Sequence, residues 1–394
     1  MNHAAVVIPG LDRIGGAENQ AVLLAAGLRR RGWRVSVVAL TGSGGAAAEE
    51  LAGAGVGFIS LHMRKGLADP RGWLQFHRWL CRERPDVVHA HLAHAAWLAR
   101  WSRLAARAPV VLDTLHSSAT GGRWRRFGYA ISRWLPDQVT AVSQAVAASH
   151  CAAGMVEPER LRVVGNGVAM EQWLPSAQIR VEARKELGAG DAFLWLAAGR
   201  LESVKDYPTL LRAFARVNAR ARLLILGTGP LEAELRAMTT QLGLSPRVHF
   251  AGFCRDVRRW MQAADGVALA SRYEGLPMVL LEAGACALPV VATDVAGTRE
   301  AVADGETGWL VPAGDGERMA AAMDGLMQMP AERRQAMGKR AREHVAEHFS
   351  LETALDRWEE LYAELRARRA PARSGGREPQ QRLRHHGAGA ARSR

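Results

Sequence analysis

Apolar residues in the first part of the chain come in short continuous runs rather than in alternation with polar ones. Runs occur at Ala4 to Ile8, Val35 to Leu40, Asp86 to His89, Val110 to Asp113 and Gln138 to Val142, with helix-length segments between them. Continuous Val-rich strands separated by helices imply a parallel sheet covered on both faces. A second series begins near Phe193: Phe193 to Ala197, Arg222 to Leu226, Val248 to Phe250, Gly266 to Ala270, Val290 to Ala292 and Trp309 to Val311. The predicted fold is α/β, with two doubly wound Rossmann-like domains at 1–168 and 191–349. Residues 169–190 lack clear periodicity until Arg180 and are expected to be a linker or hinge. Ligands of such sheets collect at the carboxyl ends of the strands, so two facing sheets predict an interdomain cleft.

The length agrees with two cores, because 394 residues exceed what one core usually holds. A content of 48% hydrophobic and 23% charged residues reads as soluble and globular. The first ten residues have neither a basic n-region nor a useful apolar stretch, so a cytoplasmic location is expected. Cys81, Cys151, Cys254 and Cys286 lack Cys-x2-Cys spacing and read as ordinary thiols. The net charge of +13 is concentrated at the end, where residues from Arg366 onward carry nine arginines against one glutamate. The stretch 369–394 has almost no large apolar residue and is expected to be a disordered basic tail. Such a tail alone suits nucleic acid, anionic lipid or plain solvation; for the protein as a whole no nucleic acid partner is expected.

The segment carrying most chemical information is Glu274-Gly-Leu-Pro-Met-Val-Leu-Leu-Glu282. Pro277 fits the first turn of a helix, which puts Glu274 at its entrance and Glu282 about one and a half turns inside. At ~1.5 Å rise per residue the carboxylates would lie roughly 10 Å apart, a span suited to two ends of one ligand. Between them the amides of Gly275, Leu276 and Met278 would face an anion such as a diphosphate. A retaining glycosidase pair would need about 5 Å, which argues against that chemistry.

Other loops point the same way. Gly15-Gly16 follows the first strand and opens a helix, allowing close backbone approach to a ligand. This is not Gly-x-Gly-x-x-Gly, and no acidic residue ends the second strand, which argues against a nicotinamide cofactor. Arg200 and Lys205, past the strand Phe193 to Ala197, supply two cations for a diphosphate leaving group; Asp206 reads as a helix cap. His89, His91, His94 and His116 gather near strand ends without a carboxylate at matching spacing, so no metal is expected and His116 suits hydrogen bonding. Asn166-Gly167 reads as a turn into the hinge. Gly227-Thr-Gly229 is either a nucleotide-facing loop or a simple turn, and the loop Gly252 to Arg255 could meet a base. Between Arg123 and Pro136, four arginines are mixed with Trp124, Phe127, Tyr129 and Trp134. That mixture suits either an anionic membrane surface or a helix with its aromatics in the core.

Taken in order, Gly15-Gly16-Ala-Glu, Pro85 to His91, Asn166-Gly-Val, Gly199-Arg-Leu with Lys205-Asp, Ser271-Arg-Tyr-Glu274-Gly-Leu-Pro with Glu282-Ala, and Pro289-Val-Val-Ala-Thr resemble a retaining family 4 glycosyltransferase of GT-B fold. The resemblance covers about residues 4 to 365. It implies Glu282 on the ribose hydroxyls, Glu274 near the donor sugar, Arg200 and Lys205 on the diphosphate, Gly16 in the facing loop and His116 beside the transferred sugar. It also implies a last helix, about 350–366, crossing back onto the first domain. Gly284 departs from a Met common in the family, and Ala296 from a common Gly-Gly-Thr. The expected activity is transfer of a sugar from a nucleoside diphosphate sugar to a glycan or lipid-linked acceptor, without cofactor or metal, with peripheral contact at the inner membrane face. A nucleotide-sugar 2-epimerase of the same fold and a non-catalytic sugar-binding protein are the alternatives.

Overall fold

The computed structural model describes residues 1–12, 15–64, 69–104, 110–254 and 256–369. Arg13 and Ile14 of the first loop, Arg255, and the predicted tail from residue 370 lie outside the described residues.

Continuous apolar runs become buried parallel strands. In the first domain these are β1 (His3–Ile8), β2 (Arg34–Ala39), β3 (Gly57–Ser60), β4 (Val87–His91), β5 (Val110–Leu115), β6 (Gln138–Ala141) and β7 (Leu161–Val163), in spatial order β3-β2-β1-β4-β5-β6-β7. The second has β8 (Phe193–Ala198), β9 (Ala221–Leu226), β10 (Val248–Gly252), β11 (Gly266–Leu269), β12 (Val290–Thr293) and β13 (Gly308–Val311), ordered β10-β9-β8-β11-β12-β13. Every pairing is parallel. The apolar pattern missed β3 and β7. Both are short edge strands with no fully buried residue, so neither carries a continuous apolar run.

Strand order reverses between β1 and β4 in one sheet and between β8 and β11 in the other. At such switch points the loops after the strands splay apart and leave a crevice. The Gly15-Gly16 loop follows β1, and the Gly199-Arg200 loop follows β8.

The chain crosses between domains twice, and the crossings run side by side. Val168 donates its amide to the Phe349 carbonyl at 2.8 Å, and Leu351 donates back to Val168 at 2.8 Å. Gly167 is required there, since a Cβ would lie 2.8 Å from Leu351 Cα. The final helix, Leu351–Arg369, then packs on the first domain: Arg31 pairs with Asp356 and Glu359 at 2.6 and 2.7 Å, and Leu355 fills the space above Gly27. This helix runs to Arg369, three residues past the expected end at 366, and Arg369 bonds Asp137 at 2.7 Å.

Residues 169–190 are only partly a linker. Ala177–Glu186 is a helix fixed to the second domain, where Arg180 donates to the Ala264 carbonyl at 2.7 Å and Arg184 pairs with Asp265 at 3.0 Å. The apolar periodicity there is weak because arginines rather than hydrophobic side chains make the attachment. Among the described residues no helix is long and apolar enough to cross a membrane.

Candidate active site

The Glu274–Glu282 segment leaves the end of β11 and runs into the helix Met278–Ala285. Pro277 is the residue before that helix, with φ −74° and ψ 106°, and not within its first turn. Its fixed φ ends the extended approach instead of starting the helical one. Among the described residues the amides of Gly275, Leu276 and Met278 donate to no protein acceptor. They form an open donor set at the positive end of the helix. At the other end the Arg342 guanidinium donates to the Ala285 carbonyl, placing a cation where the helix dipole favours one. Gly284 lets this helix approach its neighbour, because a Cβ would lie 2.7 Å from Val345 Cγ2; a Met could not be seated without displacing that contact.

The two acids differ in kind. Glu282 is half-buried and makes no side-chain hydrogen bond or ion pair among the described residues, and burial pushes its carboxyl up to about 7. A buried carboxyl without a partner costs stability, which is tolerable where a ligand supplies the partner. Glu274 is occupied: its Oε1 accepts from Lys205 Nζ at 2.6 Å and from Ser271 Oγ at 2.5 Å. Lys205 therefore joins Glu274 and is not an isolated cation; its ammonium keeps two further N–H donors.

Arg200 does not share that position. Its side chain is 76% exposed and pairs with Glu202 at 2.9 Å, so the two cations are held by different acids. The loops carrying Lys205 and Glu274 are laced together by Asp206, whose carboxylate pairs with Arg272 at 3.2 Å, and by Arg272 N donating to the Val204 carbonyl at 2.8 Å. Asp206 thus caps its helix by backbone only; its side chain is diverted to Arg272. Gly227 and Gly229 are explained inside the domain: a Cβ on either would lie 2.0 Å from Gly199 O or 2.4 Å from Leu201 O. This favours the simple-turn reading of that loop.

The first domain closes over this surface. Gly275 is pressed against the His116 carbonyl, where a Cβ would sit at 2.5 Å, and Gly297 against the Gly275 carbonyl at 2.3 Å. Gly297 thereby supplies the close contact despite Ala296 beside it. Gly16 begins the helix Gly16–Arg30 and faces Met278, with Met278 Cγ 3.6 Å from where its Cβ would be. Gly15 donates its amide to Glu18 at 3.0 Å. One turn beyond Gly16, buried Gln20 grips both backbone groups of Gly167, accepting from its N–H at 2.8 Å and donating to its carbonyl at 2.9 Å. Asn166-Gly167, read from sequence as a turn, is instead an irregular connection clamped at the hinge. Gln20 was not picked out from sequence, although a Gln on the inner face of an apolar helix is a signal that could have found it.

The histidines divide into three environments. His89 is fully buried between Tyr362 Oη at 2.7 Å and Thr114 Oγ1 at 2.6 Å. Thr140 donates to the Asp113 carbonyl, so Thr114 must donate to Thr140 and accept from His89 Nε2–H, leaving Nδ1 to accept from Tyr362. His91 Nδ1 lies 2.9 Å from His116 Nε2, and His91 Nε2 is buried without a protein partner. An orphaned lone pair costs less than an orphaned N–H, so His91 donates from Nδ1 and His116 carries its proton on Nδ1. Burial lowers His116 to about 4, His89 to about 3 and His91 well below its ordinary value, keeping all three neutral. His116 is thus a neutral N–H donor. A cavity of about 20 Å³ beside His91, His116, Gln20 and Asn166 has room for one water. His94 is exposed against Trp97. Among the described residues no three His, Cys, Asp or Glu side chains are grouped to hold a metal.

Comparison with known proteins agrees with the geometry. Residues 14–172 match the family model for Glycosyltransferase Family 4, and residues 179–344 that for Glycosyl transferases group 1. A D-inositol 3-phosphate glycosyltransferase from Xylanimonas cellulosilytica is 33% identical over 73% of this chain and 74% of its own. The UDP-Gal:alpha-D-GlcNAc-diphosphoundecaprenol alpha-1,3-galactosyltransferase of Escherichia coli is 24% identical over 76% and 80%. The crystal structure of Anabaena HepE in complex with UDP and glucose superposes with a TM-score of 0.83, at 22% identity, covering 92% of this chain and 99% of that one. The fold is accordingly GT-B.

Proposed function

The chain belongs to glycosyltransferase family 4, and on that premise we propose that it moves a sugar, with retention at the anomeric carbon, from a nucleoside diphosphate sugar to the hydroxyl of a lipid-linked glycan acceptor. The observation that carries this reading is Glu282: a carboxyl without a protein partner, half-buried beneath a helix terminus whose first amides are free. Ribose hydroxyls would give Glu282 its missing donors, and the diphosphate would accept from Gly275, Leu276 and Met278. Lys205 would bridge Glu274 to the diphosphate, with exposed Arg200 swinging in as the second cation.

In the transfer, the bond from the anomeric carbon to the diphosphate breaks and its electron pair leaves with the diphosphate. The acceptor oxygen forms the new bond, and the acceptor's hydroxyl proton ends on the departing diphosphate. Lys205, Arg200 and the helix amides lower the barrier by stabilising charge on that leaving group. Glu274 is engaged by Lys205 and Ser271, so it positions the donor sugar and does not attack it. His116, neutral and protonated on Nδ1, would donate a hydrogen bond to a sugar oxygen. Retention is part of the proposal and follows the family resemblance.

The donor and acceptor classes draw on relatives: the E. coli enzyme is named for UDP-Gal and a diphosphoundecaprenol acceptor, and HepE was crystallised with UDP and glucose. The test is calorimetry with UDP-, GDP- and ADP-sugars on the protein and on Glu282→Ala and Arg200→Ala. Undiminished nucleotide affinity in both variants would sink the reading. Conversion of the donor to its C2 epimer without any acceptor would favour an epimerase instead.

A further inference from the structure

We propose that the helix Arg123–Ser132, together with Trp134, is a docking face for an anionic lipid bilayer. Its apolar residues Trp124, Phe127 and Ile131 recur at spacings of three and four and therefore share one side of the helix, with Trp134 continuing the stripe. They point outward. Trp124 is 73% exposed, Phe127 57%, Ile131 44% and Trp134 58%. The reading in which the aromatics of this segment fill the core thus holds for Tyr129 alone.

The exposure is built in. On the inner side, buried Tyr129 lies under the Arg100 guanidinium at 4.5 Å, and Ser132 Oγ accepts from Arg100 Nη1 at 3.0 Å while donating to the Gly128 carbonyl at 2.7 Å. Gly128 sits so close to Trp97 that a Cβ would lie 2.5 Å from its ring. A helix fixed this way cannot roll its outer face inward. Burial of the stripe requires something outside the chain.

Charge selects the occupant. Residues 117–136 contain Arg123, Arg125, Arg126 and Arg133 and no acid. Among the described residues only Arg133 of these has a carboxylate within reach, Glu157 at 3.6 Å, and Arg123 lies over Trp124 at 5.5 Å. A second copy meeting this face across a two-fold axis would set the arginines against one another. A bilayer with acidic headgroups answers both demands: phosphates for the guanidiniums, and the interface for amphipathic Trp and Phe.

The placement joins this face to the cleft. Ser118, which donates to the Glu274 carbonyl at 3.4 Å, lies four residues before Gly122, where the helix starts. The helix Leu351–Arg369 ends at Asp137, three residues beyond Trp134, so Arg368 and Arg369 add to the basic character at the far end of the docking helix. A molecule held in the bilayer would reach the cleft from this side.

The test is co-sedimentation of the full chain with vesicles of phosphatidylcholine, pure or with about a third phosphatidylglycerol. Three variants are compared: Trp124→Ser with Phe127→Ser, Arg123→Glu with Arg126→Glu, and a chain ending at Arg369. All substituted side chains are at the surface, and an unchanged unfolding temperature checks that each variant folds. We expect binding to the anionic vesicles, roughly tenfold or more weaker to the neutral ones, and roughly tenfold or more weaker in each double variant. Failure of the full chain to bind anionic vesicles overturns the proposal. So does binding untouched by Trp124→Ser with Phe127→Ser, or binding abolished by the truncation alone, which would assign it to the tail. Nucleotide affinity of the double variants is measured alongside; the proposal requires it to stay unchanged, so failure here is distinguishable from failure of the transferase reading.

Discussion

Glu300 of the second domain caps the helix that Gln144 begins in the first: its carboxylate accepts from the amides of Gln144 and Ala145, each at 2.9 Å. The bond crosses the cleft. With Ser143 Oγ donating to the Gly275 carbonyl at 2.7 Å, it holds the lobes together beside the free amides of the Glu274 loop. A carboxylate at a helix N-terminus is worth about 0.3–2 kcal/mol, so Glu300→Ala should shift the balance toward an open form without unfolding either domain. We expect donor KM to rise roughly three- to tenfold and the radius of gyration in small-angle scattering to increase. If both stay at their wild-type values, the contact does not govern closure.

Glu282 sets a conflict between stability and binding. Its carboxyl has a folded pKa of about 7 against an ordinary 4.5, so the folded protein holds a proton there that the unfolded chain releases. The contribution of that proton is complete below about pH 4.5 and is lost as pH rises through about 7. Glu282→Gln should therefore be more stable than wild type at pH 8, by about 1–3 kcal/mol, with little difference at pH 4.5. The same variant should bind donor nucleotide roughly a hundredfold more weakly, since Gln cannot accept two charge-assisted bonds from a ribose. Thermal melts at the two pH values and calorimetry check the halves separately. A Gln variant less stable at pH 8 would mean that Glu282 has a partner when the site is empty.

How far sequence could reach follows from which residues act alone. The strands β1, β5 and β8 are buried on both faces and read directly as apolar runs, whereas β3 and β7, exposed at the edges, did not. Within the site, Glu274 and Glu282 were legible because their spacing lies on one short segment, where local geometry fixes what the acids face. Gln20 on Gly167, Glu300 on Gln144 and His91 on His116 are separated by 147, 156 and 25 positions. Gln20 alone carried a local signal, its place on the inner face of an apolar helix; for the other contacts nothing local names the partner until the fold is assembled. The ion pairs of Arg200 and Lys205 were hidden for another reason: both stand after β8, yet one pairs with Glu202 and the other with Glu274, and competing ion pairs cannot be ranked from composition.

His91 governs His116 through one bond. With Nδ1 of His91 donating to Nε2 of His116, the cleft is offered an N–H; without it His116 is free to take the other tautomer or turn. His91→Phe should lower kcat about tenfold with donor affinity little changed, and His91→Asn, which keeps a side-chain donor, should recover part of it. Nitrogen chemical shifts of His116 report the tautomer directly. A Phe variant whose His116 still carries its proton on Nδ1, with normal kcat, would remove His91 from the mechanism.

Arg100 and Asp113 form an ion pair that is almost wholly buried, their side chains 0% and 1% exposed, with two parallel bonds of 2.9 and 3.0 Å. Asp113 is the one charged residue of the buried strand β5, and Arg100 stands in a mostly apolar helix, so each alone would be a costly error; together they are mutually required. Removing one partner strands the other charge in the core. Arg100→Met and Asp113→Leu should each cost about 3–5 kcal/mol, while the double variant should regain most of that loss, because a filled apolar pair carries no uncompensated charge. The recovery should not be complete. Arg100 also covers the Tyr129 ring and donates to Ser132, so both variants lacking it should show faster amide exchange across Arg123–Ser132, whereas Asp113→Leu, which keeps the guanidinium on Ser132, should show less. Denaturant melts give the first comparison and hydrogen exchange the second. Equal exchange in all three variants would mean that the pair stabilises the sheet without anchoring the exposed helix.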